Sequence, residues 1–373
     1  TAITIVEKCE DKKKRNDNLV RFVQLKKKLE DIIPTSNEDD RWEAIDRLVK
    51  KIESIREYYE DEMMRVFPKK QEELWNEGYD EESGKYVGSK WGKYIRAPEI
   101  FFKILEKAGD KLIPLEKIAT VKRGFTTGAN EFFYLKDEDI RRWGIEREFW
   151  MHPVTRKEWE KIKGLIPEED IWLDKNGEYF KRSQYAEKYK LDDVLVDGSV
   201  IWIPNYVVKS PRECRSIIVD PKHLKYRVLM IHKDKEELKG TNVLKYIEWG
   251  EEQGFHERPT CKSRRRWYEL NEVRGELLCM MSLNDRHVFW LNDVNSFIDA
   301  RLYGISLKEK YKGKERILSA ILNSSLTPMI VELWGRVNLG QGALDVKVYE
   351  YGNMPIMDPI VVETYITEID NIL

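Results

Sequence analysis

The pattern of apolar and polar positions predicts two short strands at the start of the chain. Residues 1–9 alternate and are rich in β-branched side chains, and residues 19–25 repeat this character after a polar stretch. Two strands joined by a wide loop are barely stable without further strands. We therefore expect residues 1–30 to be the terminal hairpin of a sheet whose remaining strands lie outside this chain.

A long amphipathic helix is predicted next. Ser36 opens a start that resembles a capping box, and apolar side chains then recur at helical spacing up to a stop at Pro68. A shorter helix begins near Ala97 and ends before Gly109. We interpret residues 31–110 as a helical connector, although an ordinary linking or bundle-forming helix explains the same pattern.

From Leu112 onward the pattern changes to short strands interrupted by helices. Helices are predicted over residues 156–163, 241–253 and 317–333. The fold class is therefore α+β, with a mixed, strand-rich domain over residues 111–373. The strands are predicted at residues 117–121, 131–135, 199–203, 216–219, 228–232, 277–283 and 287–291.

Composition limits the possible functions. The 373 residues include 65 Lys and Arg against 67 Asp and Glu, a net charge of −2, so any nucleic-acid site must be a local patch. The chain has neither an apolar run long enough to cross a membrane nor a recognisable leader, which predicts a cytoplasmic protein without membrane association. The four cysteines and five histidines lack metal-ligand spacing, so no metal site is predicted.

The usual catalytic motifs are missing from the sequence. There is no Walker A sequence, no Gly-x-Ser-x-Gly elbow and no Asn-Pro-Pro-Tyr, and Gly340 and Gly342 lack the third glycine of a dinucleotide fingerprint. We therefore expect no catalytic residue and no cofactor in this chain. The sequence by itself favours a binding module.

The segment Arg-Gly-Phe-Thr-Thr-Gly-Ala-Asn-Glu-Phe-Phe at residues 123–133 resembles the opening of a target-recognition domain. It is similar to the domain found in adenine-specific DNA methyltransferases of restriction–modification systems, in which a strand runs into a Gly-x-Thr-Thr-Gly-x-Asn turn. Residues 257–268, 322–325 and 335–356 resemble further segments of that family in the same order. The resemblance covers about two thirds of the chain.

The resemblance implies that the chain recognises double-stranded DNA as the C-terminal part of an N6-adenine DNA methyltransferase. It further implies that residues 4–8 and 20–24 close the sheet of an S-adenosylmethionine-dependent catalytic domain. The cofactor glycines and the Asn-Pro-Pro-Tyr motif of that domain would lie upstream of Thr1, so S-adenosylmethionine is implied for the full-length enzyme alone. That upstream methyltransferase domain and duplex DNA are the expected partners.

Two other functions stay open at this point. The chain could be a stand-alone DNA-specificity subunit that recruits a separate methyltransferase or nuclease. It could also be a protein-interaction module built on the helix predicted over residues 37–67.

Residues 262–266 form the densest basic run, directly before Trp267 and Tyr268. Guanidinium groups suit phosphate oxygens and the O6/N7 edge of guanine, so this run is a candidate DNA contact. Three consecutive side chains cannot all point the same way, and we expect at most two of the arginines on DNA. The alternative is a solvated basic turn with Trp267 in the core.

Two polar loops complete the candidate surface. The turn over residues 124–130, which we call the Thr126 turn, carries hydroxyl and amide groups between apolar strands. A tight structural turn would use the same residues. Asparagine and glutamine in the loop after Gly335 can pair with adenine, and a helix cap at Gly335 is the alternative. The DNA-binding candidates are Lys122, Arg123, Thr126, Thr127, Asn130, Lys262, Arg264, Arg265, Arg266, Arg336, Asn338 and Gln341.

Overall fold

The computed structural model describes residues 7–33, 37–81, 83–86, 88–284, 286–335 and 343–363. The chain divides into two compact units, Thr1–Gly109 and Asp110–Leu373. Helices and short strands are mixed in both units, which confirms the predicted α+β class. No helix in the described ranges is long and apolar enough to span a bilayer.

The first unit contains a three-stranded antiparallel sheet. Strand Leu19–Leu25 pairs along its whole length with Met64–Lys70, which also pairs with Tyr59–Glu60. The register sets Phe22 opposite Phe67, and the Tyr94 ring packs against both phenylalanine rings at centroid distances of 5.0 and 4.9 Å. This aromatic contact stabilises a pairing between segments that are distant in the sequence.

The hairpin predicted between residues 1–9 and 19–25 falls largely outside the described residues. Residues 1–6 lie outside the described residues, and residues 7–10 form no strand. Among the residues that the structure describes, Leu19–Leu25 pairs with Met64–Lys70, a segment that was predicted to be part of a helical connector.

The helix predicted over residues 37–67 is shorter in the structure. It runs over Glu38–Ser54, and the Asn37 side chain caps it by accepting from the Asp40 amide at 3.0 Å. At the other end, the Arg21 guanidinium donates to the carbonyl of Glu53 at 2.6 Å and to that of Ile55 at 3.1 Å. These bonds satisfy carbonyls that a longer helix would have used, and the chain continues as a strand.

The remaining elements of the first unit are short. Glu99–Ala108 confirms the helix predicted near Ala97. The other helices are Lys12–Asp17, Leu29–Ile32, Gln71–Asn76 and Gly92–Arg96, and Tyr79–Asp80 pairs with Lys85–Tyr86.

The second unit is built around two four-stranded sheets. In the first, the strand order is Trp290–Leu291, Leu277–Met280, Leu302–Leu307 and Ala119–Arg123, all antiparallel. The second sheet joins Trp172–Lys175, Leu195–Val196 and Met151–Pro153 to the strand Ser199–Pro204.

Further two-stranded ladders and helices surround these sheets. The paired strands are Leu112–Pro114 with Pro355–Met357, Tyr134–Leu135 with Arg227–Val228, Val207–Val208 with Phe297–Ile298, and Ser282–Leu283 with Leu344–Asp345. The helices are Leu115–Ile118, Asn130–Phe133, Asp137–Trp143, Arg156–Ile162, Leu191–Val194, Asn242–Glu252, Pro259–Lys262, Glu315–Leu322, Leu326–Trp334, Val348–Gly352 and Pro359–Val362.

Several local predictions need correction. Residues 131–135 begin as helix Asn130–Phe133, and Ile218 makes only an isolated bridge, so 216–219 is not a strand. The helix predicted over 317–333 is broken, because the Asn323 amide donates to the carbonyls of Ser319 and Phe289, both at 2.8 Å. These side-chain bonds end one helix before the next begins.

Many of the large aromatic side chains lie in the core. Phe132 stacks on Tyr246 at 4.8 Å and meets Trp267 at 4.6 Å, and Trp267 is only 9% exposed. The core position considered for Trp267 is thus confirmed. Phe125 and Ala129 of the Thr126 turn belong to the same buried cluster.

Candidate nucleic-acid interface

Two glycines give the turn over residues 124–130 its shape. A side chain at Gly124 would stand 2.2 Å from the Asp299 carbonyl oxygen, because the strand backbone passes directly beside it. Gly128 adopts a left-handed φ of +77°, and a Cβ there would meet Cβ of Thr260 at 2.8 Å. The turn is therefore fixed by contacts that only glycine allows.

Residues 258–264 support this turn from one side. Arg258 donates to the Gly128 carbonyl at 3.3 Å and pairs with Glu131 at 3.0 Å. The Cys261 thiol donates to the Thr127 carbonyl at 3.5 Å. The structure thus brings the Thr126 turn and the basic run of residues 262–266 together, although about 130 residues separate them in the chain.

The polar side chains of the turn differ in their availability. Thr127 is 3% exposed, and its hydroxyl donates to the side-chain oxygen of Asn130 at 2.5 Å. Thr126 and Asn130 are exposed and line a concavity of about 400 Å³ together with Arg123, Arg258 and Arg301. Thr126 and Asn130 can therefore reach a ligand, whereas Thr127 stabilises the turn.

The three consecutive arginines have different surroundings. Arg264 donates to the carbonyls of Thr126 and Trp267, so its guanidinium is bound to the backbone it supports. Arg266 is 17% exposed and forms a two-point pair with Glu269, with bonds of 3.0 and 2.8 Å. Arg265 has an 81% exposed side chain. Of the three, Arg265 presents its guanidinium to solvent.

Three other sequence candidates can be located on the structure, and three cannot. Lys122 and Lys262 are exposed, and the Nε of Arg123 donates to the Ala300 carbonyl at 2.9 Å. This bond fixes the Arg123 side chain beside the Thr126 turn. Arg336, Asn338 and Gln341 lie outside the described residues.

A second concavity of about 430 Å³ was not predicted from the sequence. We call it the lysine cleft, and its lining includes Lys209, Tyr226 and Arg301, of which Arg301 also lines the concavity at the turn. The only sequence signal was a loose spacing of basic residues in a proline-containing stretch, which resembles an ordinary solvated loop. The complete lining is Lys209, Ser210, Arg212, Glu213, Arg215, His223, Lys225, Tyr226 and Arg301.

The two concavities carry seven Lys or Arg side chains and three carboxylates. Each carboxylate is engaged within the protein. Glu213 accepts from the Lys209 and Ser210 amides at 2.8 and 3.0 Å, and Glu131 pairs with Arg258. The pKa of Glu131 is lowered by a bond from its own amide and by the Arg258 guanidinium.

Asp299 is the third carboxylate. It accepts from the Tyr134 hydroxyl at 2.5 Å and from the Arg301 amide at 3.0 Å. With seven cations against three carboxylates, the joined surface presents an excess of positive charge to solvent. We call this joined surface the cationic surface.

Neither a metal ion nor S-adenosylmethionine suits the cationic surface, because both carry positive charge. Within the described ranges no three His, Cys, Asp or Glu side chains are grouped so as to hold a metal ion. S-adenosylmethionine carries a sulfonium cation, and a cation is disfavoured beside an excess of lysines and arginines. The cationic surface is suited to an anionic ligand instead.

Comparison with known proteins finds a similarity to restriction–modification methyltransferases. Residues 208–373 match the family described as type II methyltransferase M.Eco57I, C-terminal domain. This match confirms the predicted resemblance to the C-terminal part of a restriction–modification methyltransferase. The matched residues include the whole lining of the lysine cleft and the basic run at 262–266.

A solved structure is also similar to the chain. The crystal structure of the type IIG restriction endonuclease BpuSI matches with a TM-score of 0.43 and 12% sequence identity, over 94% of this chain. The chain spans 35% of the length of that protein. Among curated proteins, none matches the sequence significantly.

Proposed function

We propose that the second unit binds double-stranded DNA through the cationic surface and recognises a specific base sequence. The observation that carries this proposal is the charge of that surface. The surface carries seven Lys or Arg side chains and three carboxylates, whereas the whole chain has a net charge of −2. Phosphate contacts dominate the affinity of proteins for DNA, and they require such a local excess of positive charge.

Base recognition is assigned to the Thr126 turn. Thr126 and Asn130 are exposed, and the glycine contacts hold the backbone between them in one conformation. A side-chain amide can bond adenine at two points, and a hydroxyl can bond several base edges. A rigid turn that presents both groups beside cations suits the reading of base edges in a groove.

Within a restriction–modification methyltransferase, this unit would select the DNA site at which an adenine is methylated at N6. The match of residues 208–373 to a type II methyltransferase C-terminal domain supports the methyltransferase part of this proposal. The resemblance of residues 123–133 to adenine-specific enzymes supports the adenine part. Methyl transfer from S-adenosylmethionine would be performed by a separate catalytic domain, because this sequence contains no Asn-Pro-Pro-Tyr motif.

The 373-residue chain can be tested by selection from a randomised duplex library, followed by fluorescence anisotropy on the enriched site. We expect one enriched sequence and a lower affinity for scrambled duplexes. Asn130→Ala should reduce discrimination at one base position by roughly 1–3 kcal/mol and leave binding to scrambled duplexes nearly unchanged.

Thr120→Ala is the matched control for this experiment, because Thr120 is exposed on the preceding strand and does not line either concavity. The control should retain the wild-type preference. Failure of the wild-type chain to bind any duplex would overturn the proposed function, and binding without an enriched sequence would overturn its recognition part.

A further inference from the structure

We propose that the lysine cleft binds the phosphodiester backbone of the DNA, with Lys209 as its anchoring cation. This inference rests on the proposed function and deepens it, because it separates the surface that holds the backbone from the turn that reads bases. The cleft carries five Lys or Arg side chains and one carboxylate, Glu213. The concavity at the turn is more balanced, with three cations and two carboxylates.

The cations of the lysine cleft are largely unneutralised. Among the residues that the structure describes, no carboxylate oxygen comes within 4.0 Å of the charged groups of Lys209, Arg212, Arg215 or Lys225. Arg301 has one nearby carboxylate, Asp299, at 3.7 Å. By contrast, Arg258 and Arg266 elsewhere in the unit are paired with carboxylates at about 3 Å.

Lys209 is held in position by aromatic rings. Its Nζ lies 4.3 Å from the ring centroid of Tyr226 and 5.1 Å from that of Tyr134. Both distances fall within the range of cation–π attraction, which fixes the ammonium without cancelling its charge. A lysine placed in this way loses less side-chain entropy when it binds an anion than a freely moving lysine does.

The two loops that form the cleft are also fixed. Glu213 closes the first loop by accepting from the amides of Lys209 and Ser210, around the 3-10 turn Pro211–Glu213. Asp220 caps the second loop by accepting from the Lys222 amide at 3.0 Å, at the turn Pro221–His223. The cations therefore project from a preformed scaffold, which favours a ligand of defined spacing.

Several separated cations around an open cleft suit a series of anions better than a single small one. A phosphodiester backbone provides such a series, with one charge at each phosphate. Free inorganic phosphate shares this chemistry. The experiment below therefore includes an arm that distinguishes the two sources.

The test measures how the affinity of the 373-residue chain for duplex DNA depends on salt. Lys209→Ala, Arg212→Ala and Lys225→Ala should each reduce the slope of log K against log salt by about one unit per lost phosphate contact. Each should weaken the enriched and the scrambled duplexes by the same factor. Lys222→Ala is the matched control, since Lys222 is exposed on the same loop but does not line the cleft.

The position of Lys209 is tested by Tyr226→Leu, which removes the nearer ring and keeps the charge. We expect this variant to weaken all duplexes, and Tyr226→Phe to restore wild-type binding. Circular dichroism confirms folding of each variant.

Slopes that stay unchanged in all three cation variants, while the wild-type chain binds DNA, would overturn the cleft assignment and leave the proposed function intact. Absence of DNA binding by the wild-type chain would overturn both. Inorganic phosphate should compete with the duplex no better than sulfate at equal ionic strength. Stronger competition by phosphate that Lys209→Ala abolishes would assign the cleft to free phosphate and overturn the backbone assignment.

Discussion

The Tyr134 hydroxyl donates to Oδ2 of Asp299 at 2.5 Å, and both residues are largely buried. The other carboxylate oxygen of Asp299 accepts from the backbone amide of Arg301, whose side chain lines both concavities. The Tyr134 ring also lies beside the ammonium of Lys209. One buried hydrogen bond thus joins the turn concavity to the lysine cleft.

Tyr134→Phe should destabilise the second unit. The substitution leaves the buried Asp299 carboxylate without its hydroxyl donor, at a cost of about 1–3 kcal/mol in the free energy of unfolding. Urea unfolding followed by tryptophan fluorescence measures this loss. Tyr226→Phe is the control and should change stability by less than about 0.5 kcal/mol. Equal stability of Tyr134→Phe and wild type would contradict the role given to this bond.

Gly128→Ala should cost more than the same change at another left-handed glycine. Gly128 has a φ of +77°, and an added Cβ would stand 2.8 Å from Cβ of Thr260. Gly254 has a φ of +74° with nothing within 4 Å. We expect about 1–2 kcal/mol of destabilisation at Gly254 from the backbone alone, and about 2–4 kcal/mol at Gly128. Similar losses measured in urea at both positions would show that the Thr260 contact is unimportant.

Arg265 and Arg266 should respond to substitution in opposite ways. Arg266→Ala removes a two-point pair with Glu269 and should lower the free energy of unfolding by about 1–2 kcal/mol. Arg265→Ala should leave stability unchanged, because that side chain is 81% exposed, and should flatten the salt dependence of DNA binding. Thermal unfolding and anisotropy distinguish these outcomes. A stability loss confined to Arg265→Ala would reverse the two assignments.

Stability should fall as the pH decreases below about 6.5. His152 is buried, and burial together with the Arg274 guanidinium lowers its pKa well below the usual 6.5, against the opposing bond to Asn205. Below pH 6.5, His152 therefore binds a proton in the unfolded chain but stays neutral in the folded chain. The resulting stability is complete above pH 6.5 and decreases below it, by up to about 1.4 kcal/mol per pH unit.

Urea unfolding between pH 7.5 and 5.5 measures this slope. His152→Gln should reduce it, and His287→Gln should reduce it as well, because burial lowers the pKa of His287 in the same direction. The ring signals of His152 in NMR spectra of the wild type should stay those of a neutral imidazole down to pH 5.5. A protonated ring at pH 6 would contradict the prediction.

The amino-acid sequence determined the local features of this protein. Hydrophobic periodicity predicted helices such as Asn242–Glu252 and Glu99–Ala108, because a helix buries one face at a spacing set by its own geometry. The glycines around Thr126 predicted a constrained turn, and the order of the motifs predicted the resemblance that the match at residues 208–373 confirms. These features depend on residues that are close together in the chain.

The tertiary structure decided the pairings and the availability of charges. Strand Leu19–Leu25 pairs with Met64–Lys70, and Phe22 and Phe67 of these strands both pack on the Tyr94 ring, an arrangement that no local sequence pattern predicts. Arg266 forms an ion pair with Glu269. Lys209 and Arg301 are about ninety residues apart in the chain, yet both line the lysine cleft. Whether a cation is neutralised depends on which carboxylates the fold brings within a few ångströms of it, since the attraction falls off with distance, and that neighbourhood exists only once the chain has folded.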